Sequence, residues 1–533
     1  MDNLKKEDES SDKTADTTAS SGEIFSNPLE SSYQEAVSAP VEDASRSQED
    51  LRSEQPPEQE EESSQLQPEP SGESPSDTIP PPPPFEENKK RKVLLFLIAG
   101  IVLVVALFFI VRLLFQSKPA PKEVTLTYWG LWEGKEVIQP ILDDYKKAHP
   151  NVTINYVNED PKQYRERVEA AIARNEGPDI FRFHNTWVPM FVEELDPVPK
   201  TIYSDGEFTS IFFPIAASDL KVNGNFYGIP LEIDGLMLFY NEDILKNANV
   251  SVPTTWVDVQ NVAPRLTVKE NERIVTAGIA LGGAENIGHF SDILALMMLQ
   301  NGVNLHTSLF SCADSQVKSC ATEALTFYHR FIEAPNNTWD GILENSIVAF
   351  ARGNAAIIFA PSWQIDAIRA INPNLNFKTA KVPQLPCSSQ NCPQVNWASY
   401  WVEGVSSKSR NKDEAWQFLK YLSSPEVMTK YYGLQIQVRQ VLGEPYSRVD
   451  LANTLKDNML LAPLLEMAPT MKSFPLASRT EDGETGLNTS LIKYMKDAVN
   501  SLSQGVSPET ALQTADNGFQ QVFSRFNISS AIQ

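Results

Sequence analysis

The pattern of polar and apolar positions breaks the chain at one place. From Val93 to Val111 nineteen residues pass without a charge, and the apolar run resumes after Arg112. A hydrocarbon layer of ~30 Å takes ~20 helical residues, so this stretch predicts one membrane-spanning helix. Lys89, Lys90, Arg91 and Lys92 stand against its N-terminal end. The positive-inside bias then predicts a cytoplasmic N-terminus and places everything after Phe115 outside. Arg112 lies near the far end, where its stem can stay in the apolar layer while the guanidinium reaches the headgroups. A cleaved signal peptide would have a short basic region and an apolar core of ~7–15 residues. Here 88 residues precede the basic cluster and no A-x-A site follows, which favours a retained anchor. A buried core helix is disfavoured, because nothing upstream can pack around it.

Beyond the apolar segment the pattern alternates between two periods. "VTLTY" (Val124–Tyr128) reads as a strand, and "EVIQPILDDYKKAH" (Glu136–His149) then puts Val137, Ile138, Ile141, Leu142 and Tyr145 on one helical stripe. "VTINY" (Val152–Tyr156) is a second strand, followed by a stripe of Tyr164, Val168, Ala171 and Ile172. Strand–helix–strand order predicts a parallel, doubly wound α/β sheet. Later, Ala415, Phe418, Leu419 and Leu422 share a helical face, and Ser424-Pro425 starts another helix with a cap and a proline in the first turn.

Composition separates the two sides of the apolar segment. Residues 1–88 carry five Lys/Arg against 23 Asp/Glu, a net charge of −18 out of −24 for the chain. The same residues are rich in Ser, Gln and Pro, with five consecutive prolines from Pro80 to Pro84. Such a segment cannot bury enough apolar surface to offset its ordering entropy, so 1–88 is expected to be a disordered acidic cytoplasmic tail. Its charge argues against nucleic-acid binding. Residues 89–115 are then the basic cluster and transmembrane helix, 116–123 a short linker, and 124–533 the folded part, too long for one ordinary domain. Cys312, Cys320, Cys387 and Cys392 all fall in this part. Their spacing favours two local disulfides, Cys312–Cys320 and Cys387–Cys392, which an external location permits. A zinc site is the alternative, but neither pair has finger spacing and no histidine flanks them.

Catalytic signatures are missing. HExxH, GxSxG, the phosphate-cradling GxxxxGK[ST], GxGxxG and the calcium loop are all absent, and the five histidines are scattered. No two carboxylates single themselves out as an acid/base pair. What stands out is tryptophan: "YWGLWEG" (Trp129, Trp132), "FHNTWV" (Trp187), "APSWQI" (Trp363) and "NWASYWVEG" (Trp397, Tyr400, Trp401). Several of these follow or end strand-like runs, where an open α/β sheet binds ligands. Indole faces there suit the C–H faces of a sugar, with polar groups fixing its hydroxyls. Any one indole can equally be core, and Trp256, Trp339 and Trp416 read as packing residues.

Six segments in order carry a family resemblance: "VTLTYWGLWEGKEVIQPILDDYKKAHPNVTINY", "EGPDIFRFHNTW", "VNGNFYGIPLEIDGLMLFYNEDIL", "VPTTWVDV", "FARGNAAIIFAPSWQI" and "SSKSRNKDEAWQFLKYLSSPEVMTKYY". Together they resemble an extracellular solute-binding protein of ABC importers, of the maltose-binding type. The resemblance implies a two-lobed periplasmic-binding-protein-like (type II) α/β fold with hinge-crossing strands. Lobe 1 would be roughly 124–235 plus 378–430, and lobe 2 roughly 236–377 plus 431–533. It also implies a carbohydrate bound in the cleft, closure by hinge motion, an ABC permease as partner, and no enzyme activity, cofactor or metal. Carried over residue by residue, Trp129, Trp132 and Glu133 fall in the first ligand loop and His184, Asn185 and Trp187 in the second. Asp234 takes the hinge position, where a carboxylate can accept hydroxyl bonds. Trp363 takes the place of a stacking tryptophan, and Trp397, Tyr400 and Trp401 lie in the later crossover. "APSW" is one residue longer than the usual "GPW". No lipobox-like cysteine accompanies the span, so the helix would replace a lipid anchor. A ligand-sensing ectodomain that signals through the tail, and a binder of a non-sugar solute such as a peptide or polyamine, are the competing readings.

Overall fold

The computed structural model describes residues 89–114, 122–304, 310–314, 316–389 and 392–528. The tail 1–88 and most of the 116–123 linker, both read from the sequence, lie outside the described residues. Residues up to Ala120 form one unit and Pro121–Gln533 another.

In the first unit, α1 (Lys89–Leu114) is a continuous helix of 26 residues. Its large apolar side chains between Leu94 and Ile110 are exposed, Phe96 to 79%. A helix that is apolar all round has no face to turn toward water. Among the described residues no helix is long and apolar enough to cross a membrane. Within α1 the unbroken run of described side chains extends only from Leu94 to Ile110.

The second unit begins with the predicted strand–helix–strand. β1 (Val124–Leu131) and β2 (Val152–Glu159) pair in parallel, Val124 opposite Val152. Between them α2 (Lys135–Ala148) buries Val137, Ile138, Ile141, Leu142 and Tyr145, the stripe read from the sequence. After α3 (Tyr164–Ala173), β3 (Ile180–His184) joins the other side of β1. All five residues of β3 are buried, as expected for a strand covered on both faces. The chain then runs through β4 (Ile229–Pro230) and leaves this sheet.

β5 (Met237–Asn241), β6 (Ile357–Ala360) and β7 (Phe377–Ala380) form a second sheet, with β5 central and antiparallel to both neighbours. The helices α4 (Phe290–Gln300) and α5 (Cys320–His329), and α6 (Gln364–Ile371) after β6, accompany it. The chain re-enters the first sheet at β8 (Trp401–Val405), antiparallel to β3 and β4. The first sheet therefore has the order β2-β1-β3-β8-β4. Next, α7 (Pro425–Arg439) packs on α2, where Lys430 binds Asp144 and the Pro140 carbonyl. The last two helices, α8 (Leu487–Leu502) and α9 (Pro508–Arg525), pack on each other and on α5.

Each lobe is thus discontinuous, but the lobe 1 boundaries shift from those read in the sequence. Position 378 lies inside β7, which pairs with β5 in the second lobe, and α7 carries the first lobe past 430 to Arg439. The crossing segments lie side by side. The Ile233 N–H donates to the Pro445 carbonyl at 2.9 Å, and the Ser399 N–H to the Asp234 carbonyl at 3.0 Å. Gly235 fits here because a Cβ would meet the Trp397 carbonyl oxygen at 1.9 Å. Both expected disulfides, Cys312–Cys320 and Cys387–Cys392, are formed. All four sulfurs are thereby used, which excludes the zinc alternative for them.

Candidate functional site

The site grows from the ends of the strands at the crossing. β1 ends in a three-residue turn, closed by the Glu133 N–H donating to the Leu131 carbonyl at 2.8 Å. Trp132 is its central residue, at φ +64°. A non-glycine residue there is strained, and such strain collects at ligand sites. The turn holds the indole outward, 38% exposed. Its edge meets the ring of Trp401, the first residue of β8, with centroids 4.7 Å apart. Trp401 is half-buried, and its other neighbours are His184 and Trp187. Trp129 is half-buried on β1.

On the second lobe, β6 runs into "APSW". Asp234 fixes this turn: its carboxylate accepts from the Ser362 N–H at 3.0 Å, the Ser362 hydroxyl at 2.8 Å and the Gly235 N–H at 2.7 Å. The following residue, Trp363, is left 45% exposed, its ring edge-on to His289 at 5.6 Å. Asp234 is therefore occupied by its own chain, and not free for the two ligand hydroxyls expected from the resemblance. Burial raises its pKa to about 6.

Several other expected contact residues are sealed inside. Trp187, Trp397 and Tyr400 are each at most 1% exposed. Trp187 stacks on Phe191 beneath the Trp401 ring. The Trp397 carbonyl is the surface against which Gly235 passes. The Tyr400 hydroxyl and the Asn185 amide both donate to half-buried Asp219, which also accepts from Ser473. Asp219 is pushed up to about 6 by burial. Trp397 and Tyr400 lie on the segment that returns to the first sheet and Trp187 in the short turn after β3, and all three pack into the interior.

His184 is also buried and fully engaged. Its Nδ1 accepts from the Thr186 N–H, and its Nε2 lies 3.0 Å from the Ser399 hydroxyl. Nδ1 also lies 2.8 Å from the Thr186 hydroxyl. Burial lowers the His184 pKa to about 3. Both ring nitrogens are thus engaged by neighbouring side chains.

One feature under the site had no signal in the sequence. Glu133 is 3% exposed and receives Gln435 Nε2 at 2.9 Å and the Arg439 guanidinium. Arg439 also binds Glu444 at 2.9 Å. Glu232, buried, accepts the Trp401 N–H at 3.1 Å. Beside them Arg182 meets Glu403 across the β3–β8 pair at 2.7 Å, both buried. Burial and the nearby Glu444 raise Glu133 to about 7 and Glu232 well above the usual range. The two guanidiniums hold Glu444 down at about 2, against its burial. These partners are distant in sequence, so no local pattern brings them together. Glu133 thus belongs to this network and not to an exposed ligand loop. Two indoles, Trp132 after β1 and Trp363 after β6, are thus left exposed at the ends of strands of different sheets.

The chain matches the family "Bacterial extracellular solute-binding protein" over residues 141–439. It is 22% identical over 327 residues to a maltotriose-binding protein of Pyrococcus abyssi, covering 60% of this chain and 66% of that protein, just under two thirds of its length. It is 25% identical to a multiple sugar-binding protein of Streptococcus mutans, covering 52% of this chain and 64% of that protein. Among solved structures, the sugar-binding protein MalE of Xanthomonas citri superposes with a TM-score of 0.61 at 20% identity, covering 76% of this chain and 98% of that one. A solute-binding protein of Thermotoga lettingae bound to α-D-tagatose gives 0.57 at 19% identity, covering 75% and 99%. The fold is accordingly the two-lobed α/β fold of these binding proteins. With more than half of its length inside the family match, the chain belongs to the bacterial extracellular solute-binding proteins.

Proposed function

We propose that this chain captures a carbohydrate between its lobes, presents it to an ABC transporter permease, and is tethered to the membrane by α1. The observation that carries the binding reading is the pair of exposed indoles, Trp132 at the end of β1 and Trp363 after β6, placed on different lobes beside the crossing segments. Aromatic faces stack on sugar rings, and a hinge between the lobes lets both walls engage one ligand. The names of relatives that bind maltotriose or multiple sugars agree with it. The tether draws support from the basic cluster and the exposed apolar length of α1. A tether raises the local concentration of binder at its permease.

The full chain in detergent should change its tryptophan fluorescence on titration with maltotriose or mannobiose. Trp363→Ala should weaken that response at least tenfold with the melting temperature kept. Unaltered affinity in the variant would remove Trp363 from the site, and silence toward a broad sugar panel would end the carbohydrate reading. In cells, the chain should stay with the membrane pellet after alkaline carbonate and be released by deletion of residues 1–121. Release of the intact chain would refute the tether.

A further inference from the structure

Residues 473–488 stitch the two lobes together. The segment leaves the crossing, where Met471 and Lys472 pair with Asn396 and Trp397, and leads into α8, which packs on α4 and α5 of the second lobe. Its partners alternate between lobes. The Ser473 hydroxyl donates at 2.7 Å to Asp219, the last residue of the helix Pro214–Asp219 between β3 and β4 of the first lobe. Ser478 is held at the start of α4 in the second lobe. Its N–H donates to Asp292 Oδ1 at 2.8 Å, and its hydroxyl lies 2.5 Å from Asp292 Oδ2 and 2.7 Å from Nδ1 of His289, the residue that meets Trp363. The Asp482 carbonyl accepts from Arg165 Nε on α3 of the first lobe at 3.1 Å. The Thr485 carbonyl accepts from Arg525 of α9 at 3.1 Å. Asn488 Nδ2 donates to the Thr186 hydroxyl, just after β3, at 2.9 Å.

The segment is built to lie between the lobes. Phe474, Leu476, Thr480 and Asp482 are all buried, so it is a packed layer and not a loose loop. Arg479 and Glu481 take φ of +59° and +52°. Left-handed backbone at such residues persists only where the surroundings over-determine it. Gly483, at φ +78°, passes closest to the first lobe: a Cβ there would meet Glu166 Oε1 of α3 at 2.2 Å. The segment is also tied to its own lobe. The Asp482 carboxylate accepts from the Asn488 N–H and the Thr489 hydroxyl in the first turn of α8, and Asn488 Oδ1 accepts the Ala477 N–H at 2.9 Å. It therefore stays with α8 when the lobes part, and the bonds to Asp219, Arg165 and Thr186 are the ones that opening must break. Contacts made only in the closed state favour that state by their own free energy, with or without a solute.

We infer that residues 473–488 are an interlobe clasp that rides on the second lobe, grips Asp219, Arg165 and Thr186 of the first, and holds the solute-free protein closed, so that solute enters when the clasp lets go. The clasp acts on the two-lobed fold itself, whatever the nature of the solute.

The test therefore needs no solute. Asp143→Cys on α2 and Gln504→Cys after α8 place spin labels on exposed positions of opposite lobes, both native cysteine pairs being closed disulfides. The full chain in detergent, washed free of small molecules, is measured by pulsed electron spin resonance. One short interlobe distance is expected in the labelled parent. Ser473→Ala, Arg165→Lys and Asn488→Asp together remove the three grips. The lysine keeps the charge beside Glu166 and Glu169, and the aspartate keeps an acceptor for the Ala477 N–H. The closed-to-open ratio should fall about a hundredfold, and a second, longer distance should appear. Melting temperature verifies that the variant is folded. Should it not fold, Thr186→Val with Ser473→Ala loosens two grips with smaller changes and should move the distribution in the same direction. A long distance already dominant in the parent, or a folded variant with the parent's distribution, would overturn the clasp.

Discussion

Arg182 shows at the scale of one residue how burial turns a charge into an obligation. Inside β3, where all five residues are buried, its guanidinium is 2% exposed and its Nε donates to Glu403 directly across the strand pair. The pair does not make the lobe more stable than a well-packed apolar pair would, but removing one partner strands the other. Arg182→Met should therefore cost about 3 kcal/mol or more, read as a shift of the urea midpoint at constant m-value. Adding Glu403→Leu should restore most of it. A single variant as stable as wild type would contradict the ion-pair assignment.

His184 makes the second residue-scale prediction. Its folded pKa of about 3 lies below the ordinary value of 6.5 because the ring is buried. Between those values the unfolded chain holds a proton that the folded chain does not, so stability rises with pH across this window. Seen the other way, the contribution is complete above pH 6.5 and is lost as pH falls toward 3. Asp219, Asp234 and Glu133, all raised by burial, act in the opposite sense as pH rises through 4 to about 7. Comparison with His184→Gln isolates the histidine: the wild type should lose about 1.4 kcal/mol more per pH unit than the variant over that window. Parallel profiles would show that the ring is not held neutral.

At the scale of elements, the crossing segments carry the most information per residue. Residues 231–236, 398–400 and 445–447 lie against one another through backbone bonds, so a change in any of them is felt in both lobes. Gly235 is the tightest point, with the Trp397 carbonyl 1.9 Å from where a Cβ would sit. Gly235→Ala must push the two crossing strands apart, with a predicted loss of about 2 kcal/mol, in the range of overpacked sites. Thermal unfolding measures it, and an unchanged melting temperature would mean the strands separate freely there. The surrounding helices were easier to foresee. The α2 stripe of Val137, Ile138, Ile141, Leu142 and Tyr145 is the set the helix buries, because helical period and burial are two statements of one geometry. Likewise Trp256, Trp339 and Trp416 are core residues, as their local patterns indicated. The return to the first lobe was misplaced because β7 and β8 are both short strands. Local pattern does not say which sheet a short strand joins; pairing does.

At the scale of the whole molecule, the chain fixes by itself what depends on neighbours in sequence. Amphipathic periods, the proline in the first turn at Pro425, the capping box at Thr255, the short cysteine loops and the apolar α1 segment all arise within a few turns of chain, whereas the Ser424 hydroxyl turns back to the Tyr421 carbonyl and caps nothing. From these the order of elements was legible, while the two-lobed class was implied by the six-segment resemblance. Only the tertiary structure decided which indoles face solvent. Trp132 and Trp363 are exposed while Trp187 and Trp397 are sealed, although all four sit in similar polar surroundings in the sequence. It likewise decided that Glu133 belongs with Arg439 and Glu444, about 300 residues away. Exposure and ion pairing are set by which surfaces the chain brings together after long excursions, and no local window records that meeting.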